Sequence, residues 1–93
     1  SQINECYPGL ASTEPEVLRA LMVRCADGDQ QAFSDLYRRT APRLLGVALR
    51  IVRRREWAED ALQESFMSIW KHIGQYATEK SAPLTWMTSI VRN

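Results

Sequence analysis

One histidine, His72, and two cysteines, Cys6 and Cys25, are all that this 93-residue chain offers a soft metal or a nucleophilic site. There is no Cys-x-x-Cys pair, so zinc does not organise the fold. Cys6 sits in a polar leader beside Pro8 and Gly9, whereas Cys25 falls on an apolar helical face. They read as two free thiols in a reducing cytoplasm rather than as a disulfide. Four scattered glycines match neither G-x-G-x-x-G nor a phosphate loop. No stretch reaches the roughly 18 apolar residues of a membrane span, so no membrane insertion is expected. The leader lacks the basic start and apolar run of a secretory signal. Neither sign of charge dominates either: 12 Lys and Arg face 11 Asp and Glu for a net +1, so no global field points to nucleic acid.

These shortages exclude most enzyme chemistry. His72 has no hydroxyl or thiol at a recognisable triad spacing. Asp60 and Glu64 are spaced i, i+4, but no histidine or second carboxylate pair completes a metal site. The chain is therefore expected to bind rather than catalyse, and to need no cofactor. What it does have is bulk. Hydrophobic residues make up 45%, with three Trp, three Tyr and two Phe. That suits one small domain whose large side chains offset the thin core of a short chain.

Helical periodicity dominates, and the expected fold is all-α, a compact bundle of about four helices. Residues 1–12 lack periodicity and read as a flexible tail; residues 13–93 form the domain. Thr13 and Glu16 form a capping box around Pro15, and Val17, Leu18, Leu21, Met22 and Cys25 follow at helical spacing up to a stop at Asp27-Gly28. Asp29 caps a second helix. Its inner face is predicted to hold Phe33, Leu36, Tyr37, Leu44, Val47, Ala48 and Ile51, with Leu45, Leu49 and Val52 widening the arc. Pro42 removes a backbone donor, which predicts a kink near residues 38–40, or else a break. A third helix runs from about Glu56 to Ile73, with Gly74 as its stop. Ala58, Leu62, Phe66, Ile69 and Ile73 form its inner stripe and Trp70 flanks them. Ser81 is predicted to cap a fourth helix, with Pro83 in the first turn and Leu84, Trp86, Met87, Ile90 and Val91 on its apolar side. That helix meets no stop signal before Asn93 and reads as truncated.

Three surfaces could carry function. The outer face of the third helix gathers Asp60, Gln63, Glu64, Met67 and Lys71. This acidic and amide stripe suits a protein partner, and Met67 adds a soft contact. Arg50, Arg53, Arg54 and Arg55 crowd the end of the second helix, where they either complement the helix dipole or meet phosphates. The loop from Tyr76 through Thr78, Glu79, Lys80, Ser81 and Ala82, with Arg92 nearby, offers small polar groups, an aromatic and cations that suit single-stranded bases. The bland alternative for that loop is an ordinary connection.

The residues Asp27-Gly28-Asp29, Ala32-Phe33, Leu36-Tyr37, the run Ala58 to Phe66, Trp70, Thr85-Trp86-Met87 and Ile90-Val91-Arg92-Asn93 resemble the second conserved region of bacterial RNA polymerase sigma factors, and among them the extracytoplasmic-function (ECF) group. The resemblance covers about residues 17–93. It implies that Asp60, Gln63, Glu64 and Met67 dock on the clamp helices of the polymerase β′ subunit. It implies that the following loop and the fourth helix capture the melted non-template strand of the promoter −10 element. Tyr76, Thr78, Glu79, Lys80, Ser81 and Ala82 match the base-capturing loop, Asn93 a DNA-contacting position and Arg92 a phosphate neighbour. It also implies an anti-sigma factor as regulatory partner, for which Leu45, Leu49 and Met67 are the exposed apolar positions to consider. The family's fourth region, a helix-turn-helix, has no counterpart in these residues. Two segments depart from the pattern: Tyr76 to Ser81 in place of an aromatic followed by Arg or Gly, and Arg53-Arg54-Arg55-Glu56-Trp57 in place of a Gly/Asp/Pro turn. Trp57 there serves either packing or an exposed contact. The rival reading is a helical protein-interaction module with no DNA-reading role.

Overall fold

The computed structural model describes residues 13–76 and 81–93, and these form four α-helices. Helix α1 spans Glu14–Ala26, α2 Gln30–Val52, α3 Arg55–His72 and α4 Pro83–Arg92. A single 3-10 turn, Ile73–Gln75, follows α3. The predicted tail (residues 1–12), and Cys6 with it, lies outside the described residues.

The helix starts follow the local chemistry. The Thr13 hydroxyl accepts the Glu16 amide at 3.4 Å, and the Glu16 carboxylate accepts the Thr13 amide at 3.0 Å. Together they close the capping box and satisfy two otherwise orphaned donors. Gly28 follows the helix at φ +90, a conformation that disfavours any residue with a Cβ. Asp29 then accepts the Ala32 amide at 3.1 Å and the Arg24 guanidinium at 3.0 Å. The amide first, and Arg24 second, hold its carboxyl below the ordinary carboxylate range.

Pro42 sits inside α2, and of the two predicted outcomes the break does not occur. Pro42 lies on the solvent side, so the Arg38 carbonyl it leaves without a helical donor is also at the surface. On the inner side the packing runs through without interruption: Leu36, Thr40, Leu44 and Ala48 are all buried, and the Thr40 hydroxyl donates to the Leu36 carbonyl at 2.7 Å.

The core gathers Leu18, Leu21, Met22 and Cys25 of α1, Ala32, Leu36 and Leu44 of α2, Leu62, Phe66 and Ile69 of α3, Ile73, and Met87 of α4. The inner stripe predicted for α3 is buried throughout, and that of α1 is buried from Leu18 to Cys25 with Val17 half-buried. The α2 stripe needs correction. Ile51 is 52% exposed and Tyr37 39% exposed, and Val47 is half-buried. At 23 residues α2 is about 35 Å long. In its last turn Leu49 and Val52 are half-buried while Arg50 and Ile51 stay exposed. Conversely Leu45 and Leu49, considered as exposed positions, are half-buried, and Leu45 packs against the core. The predicted Ser81 cap is also corrected: the N-cap is Ala82, with no side-chain cap bond. The Ser81 carbonyl instead accepts the Tyr76 hydroxyl.

Burial, and secondarily the Asp29 charge, push the Cys25 thiol up to about 11 from 9.0. The folded state therefore holds its proton where the unfolded state loses it. This contribution to stability is complete below pH 9 and is lost as pH rises towards 11. Iodoacetamide at pH 8.5, read by peptide mapping, is expected to leave Cys25 unmodified in the native chain and to modify it after denaturation. Equal rates in both states would contradict the burial.

Candidate functional site

Helix α3 has two faces of opposite character. Ala58, Leu62, Phe66 and Ile69 are at most 4% exposed, and the helix packs against α2 and α4. The Ser65 hydroxyl is tied back to the Ala61 carbonyl at 2.7 Å. The same 100° periodicity that buries this stripe turns Asp60, Gln63, Glu64 and Met67 outward, and all four are exposed. Met67 is 71% exposed, the most open of the large hydrophobic residues described. The Asp60 and Glu64 carboxylates form no salt bridge among the described residues, whereas the neighbouring Glu59 is held by Arg55 at 2.9 Å. The structure thus brings together the four residues singled out on this face and leaves their charges available.

Beside them lies a groove that sequence reasoning missed. Phe33 and Tyr37 of α2 and Phe66 and Trp70 of α3 form its wall, Gln63 and Met67 its rim, and it encloses about 490 Å³. Phe33 meets Trp70 and Phe66 edge to face, with ring centres 4.9 Å and 6.0 Å apart, and Tyr37 lies tilted over Phe66 at 4.6 Å. Such pairs hold an aromatic surface rigid even where it meets water. The available signal was the i, i+4 placement of Phe33 and Tyr37 at the margin of the α2 stripe, with Trp70 flanking the α3 stripe.

The other side of the same face opens onto α4. Glu64 shares a cleft with Ala61, Ser65, Ser68, Ile90, Val91 and Asn93. Asn93 and Arg92 are exposed at the end of α4. At its start, Tyr76 is half-buried, its ring 5.1 Å from that of Trp86 and its hydroxyl bonded to Ser81. This arrangement ties the two ends of the connecting loop to each other and to α4. Trp86 packs against the core, as its place beside the apolar stripe suggested. Ala82 is exposed and Ser81 half-buried, while Thr78, Glu79 and Lys80 lie outside the described residues. Trp57, left open between packing and contact, is 56% exposed, with the Arg54 guanidinium 5.0 Å above its ring. His72 is half-buried, its Nδ1 3.0 Å from the Ser68 carbonyl, an ordinary helical position.

Residues 36–93 match the family described as sigma-70 region 2. The chain belongs to the sigma-70 region 2 family. Its curated relatives include the ECF RNA polymerase sigma factors SigK of Mycobacterium tuberculosis, Mycobacterium bovis and Mycobacterium ulcerans. Each is 30% identical over 73 residues, which is 78% of this chain and 39% of the relative. The chain thus spans about two fifths of the length of these relatives. No solved structure matches. Sigma factors, whose second region this family describes, are transcription initiation factors and not enzymes. The matched segment takes in most of α2 and all of α3 and α4, and so contains the whole Asp60–Met67 face. Phe33, which completes the aromatic groove, lies just before it. No helix among the described residues is long and apolar enough to cross a membrane.

Proposed function

We propose that this domain recruits RNA polymerase core to promoters in the cytoplasm, docking through the outer face of α3 and holding melted DNA with the following loop and α4. The observation that carries the reading is the rigid α3 face, where Asp60, Gln63, Glu64 and Met67 stand exposed over a buried stripe with both carboxylates unpaired among the described residues. Its partner is the clamp-helix pair of the β′ subunit. Basic side chains there would meet Asp60 and Glu64, and apolar ones would meet Met67 and the aromatic groove.

The −10 element is captured as non-template single strand. Tyr76, Thr78, Glu79, Lys80, Ser81 and Ala82 form the base-holding segment, and Arg92 and Asn93 contact the strand from the end of α4. Extruding a base costs a few kcal/mol, which the loop contacts offset. An anti-sigma factor is the proposed regulatory partner. Of the apolar positions considered for it, Met67 is the exposed one, so an anti-sigma factor that covers Met67 competes directly with polymerase.

The test uses the full-length protein assembled with RNA polymerase core. Single-stranded oligonucleotides bearing the −10 segment of a promoter it transcribes are compared with scrambled ones by fluorescence anisotropy. Preference for the −10 strand, with affinity falling as salt rises, is expected. Equal binding of both strands at low salt would leave the helical interaction module as the better reading.

A further inference from the structure

Trp57 stands on the outer side of α3. It is two helical turns from Glu64, so at 3.6 residues per turn the two side chains point nearly the same way. Asp60 and Met67 share that side, and all four residues are exposed. Trp57 is 56% exposed, and the Arg54 guanidinium lies 5.0 Å from the centre of its ring. A ring this open forgoes most of the stabilisation that burial would give it. The cation above it favours one orientation of the ring, an attraction that strengthens when water is removed.

The charge beside the ring also lacks a counterpart. Helix α3 opens on Arg53, Arg54 and Arg55, at the end where a helix dipole is already positive. Glu56 is the only acidic residue of its first turn. Arg55 is held by Glu59 at 2.9 Å, whereas neither Arg53 nor Arg54 pairs with a carboxylate among the described residues. Arg54 takes the N-cap position without a side-chain cap bond.

We infer that Arg54 and Trp57 form an end anchor of the polymerase-docking face, which takes an acidic side chain flanked by an aliphatic one from the docked β′ helix. The inference rests on the proposed docking through α3 and adds to it a contact of opposite charge. From Trp57 to Met67 the face runs about 15 Å at 1.5 Å per residue, a length that one helix can cover in three turns. Along it the partner meets Asp60 and Glu64 with bases and, one turn on, Arg54 with an acid. A uniformly basic partner would suit the carboxylates and be repelled at Arg53 and Arg54, so the anchor adds selectivity. Asp60 and Glu64 on the same face disfavour a polyanion such as DNA. Tryptophan and arginine are also the side chains most often found to dominate protein interfaces. The segment departs here from the Gly/Asp/Pro turn of the sigma pattern, so the anchor is a feature of this chain rather than of the family.

The test measures the affinity of the full-length protein for RNA polymerase core, with the melting temperature of each variant alongside. Trp57→Ala is expected to weaken binding at least about tenfold, and Trp57→Phe to recover part of the loss. Arg54→Glu should weaken it more than Arg54→Ala, because reversal adds repulsion to the lost contact. Arg54→Ala combined with Trp57→Ala should lose less than the two single losses together, since the cation and the ring act as a unit. Val23→Ala, which trims an exposed apolar side chain of α1, and Arg38→Ala, whose cation is already paired with Asp35, should leave affinity as it was. Melting temperatures should hardly move in any of these variants.

Wild-type affinity in Trp57→Ala, with Asp60→Ala and Glu64→Ala still harmful, overturns the anchor and leaves the docking face standing. Wild-type affinity in both sets overturns the two together. A melting temperature that falls in step with affinity would make Trp57 a packing residue and overturn the anchor. So would an Arg54→Glu variant that binds core normally but loses affinity for promoter DNA, which would assign this cation to phosphate.

Discussion

Asp60→Ala combined with Glu64→Ala is expected to weaken binding to the isolated β′ clamp helices by about 1.5–3 kcal/mol, a loss of roughly ten- to a hundredfold. Both carboxylates stand on a rigid helix, so the cost of organising them is already met by the burial of Leu62 and Phe66. On docking they leave water and exchange it for charge-assisted bonds, which are stronger than neutral ones. Removing both should act mainly on the dissociation rate, with a smaller effect on association through weaker steering. The substitutions touch no buried side chain, so the melting temperature should hardly move. Surface plasmon resonance against the clamp-helix fragment reads the effect directly. Wild-type affinity in the double variant would refute the docking face. Glu59→Ala is an internal comparison: its carboxylate is already engaged by Arg55, and its effect should be much smaller.

Leu36→Ala should have the largest effect on folding. Leu36 is 0% exposed and belongs to the core cluster to which all four helices contribute. Truncating a leucine in such a place costs about 2–5 kcal/mol, because the forfeited transfer energy adds to the cavity left behind. For a domain of this size total stability is on the order of 5–14 kcal/mol. The melting temperature should therefore fall by at least about 10 °C. Leu45→Ala, at a half-buried position on the same helix, should cost less. Urea unfolding followed by circular dichroism decides between them. A loss below about 1 kcal/mol for Leu36→Ala would mean that the site collapses around the smaller side chain.

Much of this fold was legible because helix capping and helical periodicity are local. The Thr13–Glu16 box, the Asp29 cap and the Gly28 stop depend on residues within four positions of one another, and all three occur as read. The α3 stripe was legible for the same reason, since which residues share a face follows from 3.6 residues per turn alone. The misreadings arose where the answer depended on the neighbouring helix. Ile51 continues the α2 stripe in register, yet it is left 52% exposed among the described residues. Ser81 has the right chemistry for a cap, yet the Tyr76 hydroxyl binds its carbonyl and Ala82 takes the cap position.

The sequence by itself determined an all-α chain, the starts of α1 and α2, the inner stripe of α3 and the outward direction of Asp60, Gln63, Glu64 and Met67. Through the matching of residues 36–93 it also determined the family. Tertiary structure alone decided what stands beside that face. The aromatic groove of Phe33, Tyr37, Phe66 and Trp70 joins residues up to 37 positions apart. Periodicity states which side of a helix a residue takes. Only the packing of one helix against another states which sides meet, and which residue of a stripe, such as Ile51, stays in solvent.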